Sequence, residues 1–211
     1  MAIRGLYAIV DPARIVDGSD DIERVEEVTR AVLRGGASVV QLRDKESTSR
    51  RRYRLACALA VVCAEFGAPF IVNDRLDIAL ASGADGVHLG PEDVPVKATR
   101  SLVDEDFIVG ASAGTVEAAR RLESEGADYL GVGAIYEARQ SKPDASPPRG
   151  PEAISKVVDA VDIPVVAIGG IDETNAAEPV EHGASGVAVI RALMGADDPE
   201  AAARRLAGGL G

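Results

Sequence analysis

Residues 83–90 read Gly83-Ala84-Asp85-Gly86-Val87-His88-Leu89-Gly90, a glycine followed by a short apolar run. The same opening, glycine then alanine then serine or aspartate, recurs at 36–38, 126–128 and 183–185. Glycine suits the left-handed position just after the last turn of a helix, so each copy marks a junction between a helix and a strand. The copies precede the second, fourth, sixth and eighth predicted strands, which indicates a repeating unit of two βα modules.

Short runs rich in Val and Ile alternate with Ala/Glu/Arg segments of helical period. Predicted strands lie near 6–10, 38–42, 70–72, 86–89, 108–111, 129–133, 165–168 and 186–190. Predicted helices lie near 21–34, 49–66, 75–81, 94–103, 115–125, 151–160, 174–181 and 199–207. Strands that are apolar throughout are buried on both faces, as in a parallel sheet covered by helices. We therefore predict an α/β fold, a single (β/α)8 TIM barrel formed by residues 1–211. A doubly wound open sheet is the alternative, disfavoured because no GxGxxG follows the first strand.

The charge composition argues against two classes of partner. The formal net charge is -11, and an acidic chain is unsuited to nucleic acid or an anionic membrane surface. The 46% of hydrophobic residues suffice for a sizeable core. Because 4 Lys and 19 Arg face 34 acidic residues, we hypothesise a surface adapted to high salt, with a mesophilic acidic protein as the alternative. Loss of the folded signal on dilution into low salt tests this hypothesis.

The cysteines and the N-terminus predict a protein of the cytoplasm. Cys57 and Cys63 lie six residues apart in a predicted helix, without a CxxC motif or a Cys/His cluster, so we expect buried free thiols rather than zinc or a disulfide. The first residues contain no charged region that leads into an apolar stretch, and no apolar run reaches 18 residues. We therefore expect a soluble, cytoplasmic protein.

Two cations follow the second predicted strand. Gln41 interrupts this apolar strand near its carboxyl end, and Arg43 and Lys45 come directly after it. The carboxyl ends of the strands form the active-site rim of a barrel, where Arg and Lys can neutralise the oxygens of a polyphosphate. The alternative is a solvated pair that leans on Asp44 or Glu46.

Carboxylates follow the next two strands. Asn73 and Asp74 end the third strand, and Glu92 and Asp93 follow the fourth. Asp74 and Asp93 occupy analogous positions after adjacent strands, and two carboxylates plus substrate oxygens commonly bind Mg²⁺. In the alternative interpretation these acids only cap the helices that follow them.

The last strands and one long loop predict a phosphate site. Gly170 ends a glycine pair after the seventh strand, and Ile190 and Arg191 close the eighth, where barrels often bind phosphate through backbone N–H groups. Arg191 would add charge, or else face an outer acid. Ser141 and Lys142 lie in the irregular loop 137–150, which we expect to be a lid or binding loop, and Lys142 could close over a phosphate or simply be solvated.

Histidine contributes no recognisable catalytic arrangement. His88 lies within the fourth strand, where a hydrogen-bonded histidine that lines the barrel is favoured over a catalytic base. His182 stands near the end of a predicted helix, where it favours the helix dipole. No Ser/His/Asp or Cys/His nucleophile can be assembled from the sequence.

Together these residues resemble the thiamine-phosphate synthase family over about Tyr7 to Pro199. Each matching string is weak alone, but several in register are specific. The strings that carry the resemblance are Gln41-Leu42-Arg43-Asp44-Lys45, Asn73-Asp74-Arg75-Leu76-Asp77, Gly83-Ala84-Asp85-Gly86-Val87-His88-Leu89-Gly90, Gly110-Ala111-Ser112, Ile168-Gly169-Gly170-Ile171 and Gly195-Ala196-Asp197-Asp198-Pro199.

The resemblance implies an enzyme that joins a pyrimidine methyl diphosphate to a thiazole phosphate and releases pyrophosphate. It implies that Asp74 and Asp93 bind Mg²⁺, and that Gly170 and the backbone at Ile190 hold the thiazole phosphate. It places Gln41, Arg43, Lys45, Asn73 and Ser112 around the pyrimidine diphosphate, with Lys142 on the pyrophosphate. We assign the catalytic roles to Arg43, Lys45, Ser112 and Lys142. A homo-oligomer is possible, and neither nucleic acid nor a membrane is expected as a partner.

The chain departs from the family pattern mainly near the thiazole. There the 137–142 loop lacks the usual threonines and is one residue longer, and Arg191 stands where the family commonly has a serine. Away from the thiazole, Pro91 stands where the family often has a glutamine, and Gly114 stands near the position of a family histidine. Two alternatives follow. One is an isomerase like the thiazole tautomerases, and the other is a non-catalytic relative that binds thiamine precursors. The retained Asp74 and Asp93 argue against both.

Overall fold

The computed structural model describes residues 3–16, 21–137 and 148–210, which contain a closed barrel of eight parallel strands. Each strand pairs with its neighbours in chain order, and β8 returns to β1. The (β/α)8 prediction is confirmed. The strands are β1 (Gly5–Val10), β2 (Ala37–Leu42), β3 (Phe70–Asn73), β4 (Gly86–Leu89), β5 (Ile108–Ser112), β6 (Tyr129–Val132), β7 (Val165–Ile168) and β8 (Gly186–Val189).

Helices connect the strands around the outside of the barrel. They are α1 (Ile22–Arg34), α2 (Ser49–Phe66), α3 (Leu76–Ser82), α4 (Val96–Arg100), α5 (Val116–Ser124), α6 (Glu152–Val158), α7 (Ala177–Glu181), α8 (Arg191–Met194) and α9 (Pro199–Gly208), with a 3₁₀ turn at Pro12–Arg14. The sequence prediction missed the 3₁₀ turn and α8, because elements this short show no periodic pattern. Among the described helices, none is both long and apolar enough to cross a membrane.

The glycines of the sequence repeat adopt the backbone conformation that their positions require. Each lies between a helix and the next strand with a positive φ, which residues with a Cβ rarely adopt. These residues are Gly36 (φ 105°), Gly83 (φ 72°), Gly126 (φ 98°) and Gly183 (φ 94°). The interpretation of the repeat as a series of helix ends is confirmed.

Two hydrophobic layers result from the alternation of side chains along the strands. In β1, Leu6, Ala8 and Val10 belong to the large cluster that packs against the helices. Tyr7 and Ile9 point the other way, into a smaller cluster inside the barrel. This inner layer fills the inside of the barrel, and several of its residues, Tyr7 and Ile9 among them, also line the cavity at the carboxyl ends of the strands.

Both cysteines lie in α2 and are free thiols, as predicted. Cys63 is buried, and burial raises the pKa of its thiol to about 12. Cys57 is only partly buried, so the expectation of two buried thiols holds for Cys63 alone.

Candidate active site

A cavity of about 190 Å³ opens at the carboxyl ends of the strands. Its lining includes five residues that the sequence predicted, namely Gln41, Arg43, Asn73, Ser112 and Ile190. A larger, open groove of about 610 Å³ lies between the first turns of α1 and α2, but none of the predicted site residues lines it. The other residues that line the smaller cavity are Tyr7, Ile9, His88, Tyr129, Gly131, Val166, Ile168 and Ala188.

Arg43 is held at the mouth of the cavity by an acid that directly follows β1. Its guanidinium donates a hydrogen bond of 2.6 Å to Oδ2 of Asp11, which is 4% exposed. The second oxygen of Asp11 accepts from the backbone N–H of Ala13 at 3.2 Å. Asp44 instead accepts from the backbone of its own loop. The alternative in which Arg43 leans on Asp44 or Glu46 is therefore wrong, because Arg43 pairs with Asp11.

Lys45, Asp74 and Asp93 lie close together where the loops after β2, β3 and β4 meet. Nζ of Lys45 lies 3.2 Å from Oδ2 of Asp74, and Oδ2 of Asp93 accepts from the N–H of Gly90 at 2.7 Å. Burial raises the pKa of Asp93, and the neighbouring Asp74 carboxylate raises it further, while Gly90 and Lys45 act in the opposite direction. The two carboxylates are thus close enough to repel one another.

Neither of these acids caps a helix. The N-cap of α3 is Arg75 and that of α4 is Pro95, and neither helix has a side-chain cap. Asp74 also has a φ of 66°, in the left-handed region that residues other than glycine seldom adopt. The alternative in which Asp74 and Asp93 only cap helices is therefore wrong.

The chemistry of this acid pair suits a hard divalent cation. Two neighbouring carboxylates at an open rim leave room for substrate oxygens, which is the donor set that Mg²⁺ favours. In the described part of the chain, no cluster of three or more His, Cys, Asp or Glu side chains is arranged to hold a metal. Asp74 and Asp93 therefore fit a cation that a ligand helps to bind, rather than a closed structural site.

His88 lies inside the cavity with both ring nitrogens hydrogen-bonded. Nδ1 is 2.9 Å from the hydroxyl of Tyr129, and Nε2 is 2.9 Å from Oγ of Ser112. Burial lowers the pKa of His88 to about 4, against a smaller opposite effect of Asp74, so the ring is neutral at pH 7. The prediction of a hydrogen-bonded histidine that lines the barrel is confirmed.

The phosphate-binding prediction concerns the loops after β7 and β8. Gly169 and Gly170 have φ values of 101° and 67°, and the carbonyl of Gly170 accepts from the side-chain amide of Asn175 at 3.0 Å. Ile190 lines the cavity, and the half-buried Arg191 begins α8 one residue later. Ser141 and Lys142, like most of the long loop, lie outside the described residues.

Three polar residues of the site were missed in the sequence. Asp11 directly follows β1, so the rule that identified the ends of β2 to β4 could have found it. Tyr7 and Tyr129 each place a hydroxyl group in an otherwise apolar strand, and only the barrel brings them together, with their oxygens 2.7 Å apart.

Comparisons with known proteins identify the family of the chain. The family model described as thiamine monophosphate synthase matches residues 6–193. A thiamine-phosphate synthase of Natronomonas pharaonis is 51% identical over 86% of this chain and 85% of its own length. The corresponding figures for that of Haloquadratum walsbyi are 48%, 86% and 82%.

A solved structure extends the likeness to three dimensions. The thiamine phosphate pyrophosphorylase from Pyrococcus furiosus superimposes with a TM-score of 0.86 at 38% identity, over 97% of this chain and 94% of that one. The segment that the family model matches runs from the second residue of β1 to beyond the end of β8. On the extent of these matches, the chain belongs to the thiamine monophosphate synthase family.

Proposed function

We propose that the chain is a thiamine-phosphate synthase, a Mg²⁺-dependent transferase that joins a pyrimidine methyl diphosphate to a thiazole phosphate and releases pyrophosphate. The observation that carries this proposal is the group of two cations and two carboxylates, Arg43, Lys45, Asp74 and Asp93, at the mouth of the barrel cavity. A metal-bound diphosphate requires both kinds of charge in one place.

The cations assist the departure of the diphosphate. The bond between the methyl carbon and the diphosphate oxygen breaks, so negative charge grows on the leaving group. Arg43 is held in place by Asp11, and Lys45 stands beside Asp74, so both cations are oriented before the charge develops. A bound Mg²⁺, held by Asp74 and Asp93, would neutralise further diphosphate charge and make pyrophosphate a better leaving group.

The cavity suits the carbocation that remains. A pyrimidinyl methyl cation, stabilised by its amino group, needs no protein nucleophile, and His88 is neutral and committed to two hydrogen bonds. The apolar walls formed by Ile9, Val166 and Ile168 keep bulk water away from the cation. The nitrogen of the thiazole then captures the methyl carbon.

The loops after β7 and β8 are proposed to bind the thiazole phosphate. The positive φ of Gly170 lets the backbone turn sharply, and glycine allows an anion to approach backbone N–H groups closely. Arg191 supplies a positive charge one residue beyond the cavity lining. Ser141 and Lys142 remain proposed contacts of the diphosphate.

A pyrophosphate-release assay tests the function. We expect release only when Mg²⁺, pyrimidine methyl diphosphate and thiazole phosphate are all present, with thiamine phosphate formed in equal amount. Conversion of a thiazole isomer without the pyrimidine would instead identify a tautomerase. Tight binding of both compounds without turnover would identify a non-catalytic binding protein.

We also propose three further properties of the protein. Residues 1–211 form one domain, the enzyme acts in the cytoplasm on small soluble substrates, and it forms homo-oligomers. Light scattering of the purified chain measures the oligomeric state, and limited proteolysis that leaves one resistant core of nearly full length would support the single domain.

A further inference from the structure

A continuous chain of five polar side chains crosses the interior of the barrel. Nε2 of Gln41 donates to the hydroxyl of Tyr7 at 2.8 Å, and the hydroxyls of Tyr7 and Tyr129 lie 2.7 Å apart. From Tyr129 the chain passes to Nδ1 of His88 at 2.9 Å, and Nε2 of His88 reaches Ser112 at 2.9 Å. The chain thus runs from a buried amide to an exposed hydroxyl at the end of β5.

Two glycines in the strands leave space for the rings of Tyr129 and His88. A methyl group at Gly110 would overlap the ring of Tyr129, and one at Gly131 would lie 3.1 Å from Cε1 of His88. Both glycines lie within strands, β5 and β6, where glycine is otherwise unfavourable. Glycine at these two positions therefore makes room for the rings of Tyr129 and His88 inside the barrel.

In this series of hydrogen bonds, the direction of each bond sets the direction of the next. The Tyr7 oxygen accepts from Gln41, and in the described part of the chain the only other hydrogen-bond partner of this hydroxyl is Tyr129, so the Tyr7 hydrogen has an acceptor only if it points to Tyr129. The hydrogen of Tyr129 is then free to point to Nδ1 of His88. A neutral imidazole that accepts at Nδ1 carries its hydrogen on Nε2 and donates it to Ser112. The hydrogen of Ser112 is consequently directed away from His88.

The opposite direction is disfavoured at the buried end. It would require either that the amide of Gln41 accept from Tyr7, which turns both of its N–H groups away from the phenol, or that Tyr7 accept from both Gln41 and Tyr129. The second arrangement leaves the hydrogen of the buried Tyr7 without an acceptor among the described residues. Gln41 is 3% exposed, and buried amide hydrogens without partners are costly. In the direction argued above, the last free hydrogen belongs to Ser112, at the exposed end where a ligand can accept it.

We propose that Tyr7 and Tyr129 are positioning residues that hold His88 in its Nε2–H form and thereby make Ser112 a hydrogen-bond donor to the ligand. The ligand atom at Ser112 must then be an acceptor, such as an anionic oxygen or a ring nitrogen. An N–H or O–H group at the same place is selected against. The identity of the ligand rests on the proposed function, whereas the state of His88 does not.

Nitrogen NMR of the free protein tests the tautomer at pH 7. The chain contains two histidines, so ¹⁵N-histidine labelling gives two sets of ring signals, and His182→Asn assigns them. We expect a protonated Nε2 and an unprotonated Nδ1 for His88. A protonated Nδ1 would overturn the proposal, whatever ligand the protein binds.

A variant of the phenol links the tautomer to Tyr129. Tyr129→Phe removes the donor to Nδ1, so the His88 signals should move toward a mixture of the two tautomers. The signals of His182, which pairs with Ser155, should stay unchanged. If Tyr129→Phe does not fold, the wild-type spectrum still decides the tautomer, and unchanged His88 signals in a folded variant would refute the role of Tyr129.

Ligand affinity tests the consequence for Ser112. The probe is pyrimidine methyl diphosphate with Mg²⁺ and without thiazole phosphate, so that no turnover occurs. We expect Ser112→Ala to weaken binding by about ten- to a hundredfold and Tyr129→Phe by about two- to tenfold. In the Ser112→Ala background, Tyr129→Phe should cause no further loss, because Tyr129 acts through Ser112.

The controls separate positioning from general damage. Tyr53→Phe removes a hydroxyl from an exposed tyrosine of α2 and should leave the affinity unchanged. Equal losses from Tyr129→Phe in both backgrounds would mean that Tyr129 acts independently of Ser112, which contradicts the proposal. If the wild-type chain does not bind the probe, the proposed function fails, and the tautomer of His88 still decides the hydrogen-bond direction.

Discussion

The two sides of the barrel mouth differ in the groups that they present, charged side chains on one side and glycine-containing loops on the other. The diphosphate side is the side proposed to bind the diphosphate, formed by Arg43, Lys45, Asp74 and Asp93 after β2 to β4. Its charged side chains are paired, Arg43 with Asp11 at 2.6 Å and Lys45 with Asp74 at 3.2 Å. The phosphate side is the side proposed to bind the thiazole phosphate, formed by residues 169–170 and 190–191 after β7 and β8. It contains two consecutive glycines, Gly169 and Gly170, both with a positive φ. We therefore expect binding on the diphosphate side to depend on charge and binding on the phosphate side to depend on backbone shape. Substitutions on the two sides should then have different effects.

The largest effect is expected from the acid pair. Asp74→Asn keeps the size of the side chain and tolerates the positive φ, as aspartate does, but it removes the charge. We expect Asp74→Asn and Asp93→Asn each to lower Mg²⁺-dependent turnover by more than about a hundredfold, since even residues that only support metal ligands typically contribute ten- to a hundredfold. Pyrophosphate release at saturating substrates measures this.

The control for the acid pair is a nearby acid without a proposed role. Asp77→Asn removes an exposed carboxylate that pairs with Arg75 and should leave turnover nearly unchanged. Near-normal rates in both Asp74→Asn and Asp93→Asn would remove the metal site from the diphosphate side.

Arg43 should have the next largest effect, and it should act on kcat. Charge on the leaving pyrophosphate grows as the bond breaks, so the contact strengthens in the transition state. Arg43→Ala should lower kcat by about ten- to a hundredfold and raise KM less. Arg30→Ala, which breaks a surface pair with Glu65, should change neither constant. An effect confined to KM would assign Arg43 to ground-state binding alone.

The same contrast explains what the sequence could and could not predict. The diphosphate side was predictable because charged residues that follow apolar strands stand out, and the parallel barrel brings consecutive strand ends together. The eight strands were predictable because they are short, apolar and separated by helical segments. In the barrel, Gln41, Asn73 and Ser112 line the cavity.

The partners of these residues were not predictable in the same way. The pairing of Arg43 with Asp11 spans 32 residues and that of Tyr7 with Tyr129 spans 122, so neither appears as a local pattern. Nearby acids in the sequence, Asp44 above all, suggested the wrong partner for Arg43. Short elements such as α8 escaped detection because four residues carry no periodicity.

Arg191 tests whether charge also contributes on the phosphate side. Arginine can donate two charge-assisted hydrogen bonds to a phosphate, each contributing about 1.5–3 kcal/mol at best. We expect Arg191→Ala to weaken the binding of thiazole phosphate by about ten- to a hundredfold and to leave pyrimidine diphosphate binding almost unchanged. Calorimetric titration with each compound measures both.

Arg191→Lys sharpens this test. Lysine keeps the positive charge but lacks the planar fork, so it should recover only part of the affinity. Unaltered thiazole phosphate affinity in Arg191→Ala would favour the alternative in which the side chain turns outward to an acid such as Glu152 or Asp172.

A pair of glycines isolates the role of shape on the phosphate side. Gly170 and Gly83 have nearly the same φ, 67° and 72°, so a Cβ strains both backbones by about 1–2 kcal/mol. At Gly83 nothing lies within 4 Å of the added Cβ, whereas at Gly170 it would lie 2.8 Å from Cβ of Tyr136. Gly170→Ala should therefore lower the free energy of unfolding by about 1–3 kcal/mol more than Gly83→Ala, through crowding alone.

The two glycine variants should also differ in their affinity for the thiazole phosphate. Gly170→Ala displaces backbone that is proposed to meet the thiazole phosphate, so it should raise the KM for that substrate, while Gly83→Ala should leave it unchanged. Denaturant unfolding and steady-state kinetics of the two variants give both comparisons. Equal unfolding free energies for the two variants would show that Tyr136 gives way easily, and the phosphate side would then be more adaptable than its close packing indicates.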